Sequence, residues 1–271
     1  MHLPRREGIA VLPFPTRMLP ESVDYLLSLP DDARVLDVGG WAGPLNRADW
    51  MIDREPYETR GLTMPQGFGP PPERFTKDTW VERDICDREP WPFEDDFFDF
   101  VICTFTLEDL RDPIGVCHEM SRVGKAGYIE VPSLLDELSW AVPEESGGPW
   151  AGHTHHRWLI TLEDGELVFL NKFHSLHSNW RVRVPRRWAD QLSVPERMLV
   201  HWWEGELPAR ENPAVSQYPY EELERAIRER FEPSRAVLLA KDLRERSQTL
   251  GVRALQPLRK GVLAVLDRIG R

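Results

Sequence analysis

"ARVLDVGGWAGPLNRADWMIDREP", residues 33–56, opens with a compact apolar run that carries one acid and then stops at glycine. Apolar side chains on both faces of Val35–Val38 suit a strand covered on both sides, as in a parallel sheet. Gly39, Gly40 and Gly43 then permit a tight turn and let a ligand reach the backbone without meeting a Cβ. A second short strand reads from 48 to 55 and ends at Asp53. An acid at that point can accept hydrogen bonds from a ribose diol. A glycine turn alone is equally a plain connection; followed by an acidic second-strand end, it has nucleoside-binding geometry.

Outward from this stretch, strands and helices alternate. An amphipathic segment, Glu21–Leu29, precedes it. Residues 57–79 hold four prolines and three glycines, so they cannot easily form the helix that usually links parallel strands. A loop of that length is often a lid or binding loop. "WVERDIC" (80–86) and "FFDFVICTFTLEDL" (97–110) read as strands, the second strongly apolar and β-branched. "DPIGVCHEMSRVG" (112–124) is helical, with Asp112 as N-cap, Pro113 in the first turn and Gly124 as the stop. "KAGYIEVPS" (125–133) gives another buried strand. This alternation predicts an α/β fold with a mostly parallel sheet. Beyond it, 185–192 and 219–231 read as helices, 196–205 as a strand, and the remainder as interrupted helix.

The run Val35–Ser133 resembles the class I S-adenosylmethionine-dependent methyltransferases, in the branch that acts on small molecules (methyltransferase type 11-like). Asp37, Gly39 and Gly43 match the family's first strand and turn, with Trp41 where a third glycine is usual. Further on stand Asp99, Leu107-Glu108, Asp112-Pro113, Arg122-Val123 and Gly127, with Asp109 where histidine is common and Ala126 where proline is common. The resemblance implies a Rossmann-like sheet and S-adenosylmethionine as cofactor. It implies that the Gly39–Gly43 turn holds the methionine part, that Asp53 binds the ribose, and that Asp84 and Ile85 flank the adenine. A sulfonium methyl is already electrophilic, so the protein must chiefly align an attacking atom and exclude water. Thr104, Phe105 and Thr106 emerge at the strand end, where they contact ligand or simply pack. The same glycines have the wrong spacing for a dinucleotide fingerprint, which places a nicotinamide-dependent oxidoreductase last.

Five of the eight histidines fall within 152–177. Asp164-Gly165 is a two-residue hairpin signal. The pairing it sets puts His155 opposite His174 and His156 opposite Phe173. Strand alternation then places His153, His155 and His174 on one face, beside Arg157 and Lys172, and His156 and His177 on the other. No carboxylate or cysteine accompanies them at tight spacing and the cations oppose a dication, so no metal site is expected. A neutral imidazole among His153, His155 and His156 suits a general base for an acceptor hydroxyl, and a solvated hairpin without chemical duty remains open. Glu108/Asp109 can serve as base or metal ligand, or as plain strand-end carboxylates. Trp150 and Trp158 flank the histidines, in position to stack on a sugar face.

The 271-residue chain has a net charge of −11, which opposes general nucleic-acid binding. Residues 241–271 carry eight Lys/Arg against three Asp/Glu and lie at +5, leaving −16 elsewhere. Peripheral membrane docking by this tail competes with a helix packed on the domain or on a second subunit. The three cysteines show no disulfide or metal spacing, and "MHLPRREGIAVLPFPTRMLP" lacks a signal-peptide core, so a cytoplasmic protein is expected. The organisation expected is one domain in three parts: a cofactor-binding core with an N-terminal extension (1–133), a hairpin-containing acceptor-site insertion (134–195), and a sheet-completing strand with C-terminal helices (196–271). The function expected is S-adenosylmethionine-dependent O-methylation of a small-molecule or carbohydrate-containing acceptor. The alternative is a cofactor-binding regulatory partner without transfer activity.

Overall fold

The computed structural model describes residues 19–62, 65–139, 152–173, 176, 182–184, 189, 191–213, 224, 225, 227 and 229. Their main body is a six-stranded sheet of β1 (Val35–Val38), β2 (Trp50–Asp53), β3 (Trp80–Glu82), β4 (Phe100–Thr104), β5 (Ala126–Pro132) and β8 (Met198–Glu204). The order is β3-β2-β1-β4-β5-β8, with the first five parallel and β8 antiparallel to β5. This is the mostly parallel α/β sheet expected, in the Rossmann-like arrangement of the class I methyltransferases. It brings the C-terminal ends of β1, β2 and β4 side by side.

The sheet faces are covered unequally. On one side α2 (Pro113–Val123) buries Val116, Cys117, Met120 and Val123 against β4 and its neighbours. Its Asp112 caps as expected, accepting from the Gly115 N–H at 2.9 Å. On the other side no helix links β1 to β2. Leu45, Phe68 and Phe75 from the connecting loops, with Leu26 of α1 (Pro20–Ser28), supply the apolar cover instead. Among its described residues the proline-rich segment holds only single helical turns, at Tyr57–Thr59 and Lys77–Thr79.

A second, three-stranded sheet runs β6-β7-β9. The hairpin of β6 (Trp158–Glu163) and β7 (Glu166–Asn171) has the register expected, from Glu163 opposite Glu166 to Trp158 opposite Asn171. Asp164 and Gly165 take φ values of 50° and 88°, the left-handed pair a two-residue turn requires. The third strand, β9 (Ala209–Asn212), lies parallel to β7; its sequence AREN gave no apolar pattern to announce it. Apolar residues of the hairpin join the main core through Ile160, Leu167 and Phe169.

Of the three free cysteines, Cys103 and Cys117 are buried, while Cys86 is half-buried. Among the described residues no helix is long and apolar enough to cross a membrane. The expected helix at 219–231 is described only at Glu224, Arg225, Ile227 and Glu229, and most of 185–192 and the whole basic tail lie outside the described residues.

Candidate functional site

The cradle at the end of β1 is set by close approaches. Gly39 has φ +74°, and a Cβ there would lie 2.3 Å from Thr106 Cγ2; one on Gly40 would lie 2.3 Å from Asp37 Oδ2. The turn therefore passes hard against its neighbours, and glycine is required at both positions. Gly43 closes it by donating to the Gly40 carbonyl at 3.1 Å.

Asp37 is buried beneath this turn. Its Oδ2 accepts from the Leu45 N–H at 2.9 Å, while Oδ1 has no hydrogen-bond partner among the described residues. Burial pushes its carboxyl up to about 7. Asp53 is buried at the end of β2 and accepts from the Trp41 N–H at 3.0 Å and the Glu55 N–H at 2.9 Å, each on a different oxygen. Burial raises its carboxyl too. A carboxylate offers about four lone-pair sites, so it retains acceptor capacity for a hydroxyl beyond these backbone bonds. Trp41 does not fill the place of the missing glycine with a loose ring: its indole N–H donates to Thr59 Oγ1 at 2.9 Å.

Asp84 follows β3 and pairs with Arg111 at 2.5 Å; despite partial burial, that guanidinium holds its carboxyl below the ordinary value. Ile85 is buried, and its carbonyl accepts from the Trp91 indole at 3.1 Å. At the end of β4, Thr104 is half-buried. The contact with the glycine turn comes from Thr106, whose Oγ1 donates within reach of both the Gly39 carbonyl (3.2 Å) and the Thr104 carbonyl (3.1 Å). Between them Phe105 takes φ +50°, a left-handed conformation rare for a side chain of this size and found at functional turns.

The donor set fits a nucleoside cofactor. Two acids at neighbouring strand ends flank a turn without Cβ atoms, and one of them keeps an unpaired buried oxygen that a cationic group would satisfy.

The histidines are arranged differently from the alternation expected. The ladder ends at Trp158, and the N–H groups of Arg157 and Trp158 donate instead to the Glu108 carbonyl, at 2.7 and 3.2 Å. Gly152, at φ +53°, turns the chain against α3 (Leu134–Glu137), where a Cβ would sit 2.3 Å from the Glu137 carbonyl oxygen. Between these fixings His153, His155 and His156 gather in one cluster, with His156 centred 4.3 Å from His153 and 4.4 Å from His155. Neighbours in sequence thus share a cluster, because the chain has left the extended conformation that alternation assumes. His174 and His177 lie outside the described residues.

Nor is the surround cationic. Glu137, 1% exposed, accepts from His156 Nδ1 through one oxygen and from Lys172 Nζ through the other. Although burial opposes it, the His156 hydrogen bond and the Lys172 charge hold its carboxyl below the ordinary range. His153 Nε2 lies 3.5 Å from Asp136 Oδ2, and Arg197 binds the other oxygen of Asp136 at 2.7 Å. His155 Nε2 lies 3.9 Å from Asp109 Oδ2. Tertiary structure thus supplies the carboxylates that sequence spacing lacked. Glu137 and Asp136 gave no signal; both stand in an unremarkable acidic turn. Trp158 is not presented to a ligand: it is buried and donates to the Leu110 carbonyl at 2.7 Å. Trp150 lies outside the described residues.

A family model described as methionine biosynthesis protein MetW matches residues 22–209. No curated protein matches the chain. Among solved structures, an S-adenosylmethionine-dependent methyltransferase from Aquifex aeolicus is 19% identical over 48% of this chain and 69% of its own, with a TM-score of 0.30. One from Mesorhizobium loti is 16% identical over 45% and 59%, with a TM-score of 0.31. The YcgJ protein from Bacillus subtilis is 20% identical over 42% and 51%, with a TM-score of 0.30. The chain spans about half the length of several solved structures that it matches.

Proposed function

Since the chain belongs to the methionine biosynthesis protein MetW family and carries the class I S-adenosylmethionine-dependent methyltransferase fold, we propose that it binds S-adenosylmethionine and transfers its methyl group to an oxygen of a small-molecule or carbohydrate-containing acceptor in the cytoplasm. The observation that carries this reading is the buried Asp37/Asp53 pair bracketing a turn that excludes a Cβ at Gly39 and Gly40. Asp53 would hold the ribose hydroxyls, Asp84 and Ile85 the adenine, and Gly39, Gly40 and Gly43, with Asp37 and Thr104 beside them, the methionine portion. When bound, the cofactor supplies an electrophilic methyl on a positively charged sulfur.

The chain's own residues then handle the acceptor. The histidine cluster stands beside the turn that follows β4, because the Glu108 carbonyl fixes the chain just after His156. Glu137, bound at Nδ1 of His156, sets that ring's orientation and leaves Nε2 as the lone-pair donor. An acceptor hydroxyl placed there would give its proton to Nε2. His153 buttresses the ring by stacking, with the planes 24° apart. His155 is the more exposed member and would meet the acceptor first.

Isothermal titration with S-adenosylmethionine and S-adenosylhomocysteine tests the first half. Binding by the wild type and its loss in Asp53→Ala are expected, and no binding to the wild type ends the reading. Tritium-methyl transfer to fractionated extract, comparing wild type with His155→Ala and His156→Ala, tests the second. Loss of transfer with cofactor binding retained assigns the imidazole. Binding with no transfer to any fraction would instead make the chain a cofactor-binding partner.

A further inference from the structure

Three metal-ligating side chains from two distant parts of the chain converge just beyond β4. Asp109 comes from the turn after that strand, and His155 and His156 from the approach to β6; one ligand atom of each lies within 4.8 Å of the others. We propose that Asp109, His155 and His156 form an open binding site for a first-row divalent cation, with zinc the best match to their donors. It deepens the methyl-transfer reading and rests on it for the cation's role, though not for its binding.

Five observations support the site. Two imidazoles and one carboxylate are the donor set of open, catalytic-type sites, which keep a further position for water or substrate. His156 Nδ1 is held by Glu137, the carboxylate–histidine relation that fixes the tautomer and turns Nε2 toward a metal. Glu137 is itself clamped by Lys172, so the ring's orientation is set from behind. Asp109 Oδ1 is shielded from solvent yet has no hydrogen-bond partner among the described residues, and a cation would satisfy that carboxylate. The Glu108 carbonyl accepts from both Arg157 and Trp158, which locks the neighbour of Asp109 onto the neighbour of His156.

The geometry needs only a small contraction. Donors in a tetrahedral zinc site stand about 3.3 Å apart, as metal–ligand bonds near 2.0–2.1 Å require. Asp109 and His155 side chains are 41% and 56% exposed and can rotate inward, while His156 stays fixed. Charge is compatible as well. Lys172 is neutralised by Glu137, and Asp109 contributes one negative charge, so a bound dication retains net positive charge at its open position. An acceptor hydroxyl coordinated there loses its proton to solvent more readily, as zinc-bound water does at about pH 7. In the loaded protein the His156 lone pair thus serves the cation, and coordination replaces imidazole as the acidifying influence.

The test is titration of chelator-treated, dialysed full-length protein with Co²⁺, followed by visible absorption, and displacement by Zn²⁺, all without S-adenosylmethionine. One cation per chain is expected, with the intense visible bands of a low-coordinate site. Asp109→Asn and His155→Ala, both at exposed positions, should each weaken binding by about a hundredfold or more. Glu137→Gln should weaken it by about ten- to a hundredfold, because it removes the carboxylate that holds His156 at Nδ1. His201→Ala, on β8, should leave it unchanged. Absence of stoichiometric Co²⁺ or Zn²⁺ binding, or equal affinity in wild type, Asp109→Asn and His155→Ala, overturns the site. Separate titration with S-adenosylmethionine keeps the two readings apart: cation binding without cofactor binding sinks methyl transfer alone, and the reverse sinks the metal site alone.

Discussion

Removing the charge of Glu137 should be among the most costly single changes in this chain. Its carboxylate is 1% exposed and touches two buried partners, His156 and Lys172. In Glu137→Gln the Lys172 ammonium, whose side chain is 0% exposed, would keep only the His153 carbonyl at 2.7 Å among its described partners. Breaking a buried pair by neutralising one partner costs about 3–5 kcal/mol, against a total stability of about 5–15 kcal/mol. For a chain of this size that is a fall in Tm of about 10 °C. The pair also has a pH signature. Its folded-state carboxyl lies below the ordinary 4.5, so its stabilisation is present above that value and fades as pH falls through the folded pKa. The gap between wild type and Glu137→Gln should therefore narrow on acidification below about pH 4.5. Urea unfolding of wild type, Glu137→Gln, Lys172→Met and the double variant measures the coupling directly. The double variant removes both charges and should lose far less than the sum of the singles. Additive losses, each below about 1 kcal/mol, would refute the reasoning.

Asp37 has its carboxyl raised to about 7 from 3.8, so the folded state holds its proton more tightly than the unfolded chain, and stability should fall as pH rises between those values. Asp37→Asn should flatten that slope by up to about 1.4 kcal/mol per pH unit, read from denaturation at pH 5 and 7; Glu130, also raised to about 7 by burial, and Asp53, raised by burial as well, would supply the slope that remains. A cationic ligand beside Asp37 favours its ionised form, so S-adenosylmethionine binding near pH 6 should release a proton, seen as a heat that changes between buffers of different ionisation enthalpy. Gly40→Ala forces a Cβ to within 2.3 Å of Asp37 Oδ2 and should weaken cofactor binding by more than about tenfold in titration. Trp158→Phe removes the donor to the Leu110 carbonyl and should cost about 1–3 kcal/mol by thermal unfolding, leaving binding of simple sugars unaffected.

All six strands of the main sheet were legible, most of them because a run of apolar residues has no other comfortable place than between two layers. The hairpin register was legible because Asp164-Gly165 admits one turn geometry. The histidine cluster was not. Its shape depends on hydrogen bonds from Arg157 and Trp158 to Glu108, and on Gly152 meeting Glu137, none of which leaves a local pattern. Extrapolating the ladder past Trp158 separated His155 from His156, where the structure joins them. Glu137 was invisible for a related reason: a buried acid in an acidic, leucine-containing turn looks like a solvated one until its partners, 19 and 35 residues away, are known. The strand β9 escaped because AREN owes its extended form to the edge of β7 and not to its own propensity.

One short segment, Phe105–Leu110, ties the glycine turn after β1 to the histidine cluster. Thr106 lies against Gly39 at one end, and the Glu108 and Leu110 carbonyls receive Arg157 and Trp158 at the other. Phe105, in its left-handed conformation, donates to the Glu130 carbonyl of β5 at 2.8 Å and lifts the chain off the sheet between them. A strained residue of this kind persists only where neighbours on both sides hold it. The glycine turn supplies one hold and the hairpin the other, so the two halves of the site are held in fixed relation by backbone contacts. Side-chain chemistry can then be placed at one end without loosening the other, which is what a transfer between two bound partners demands of its scaffold.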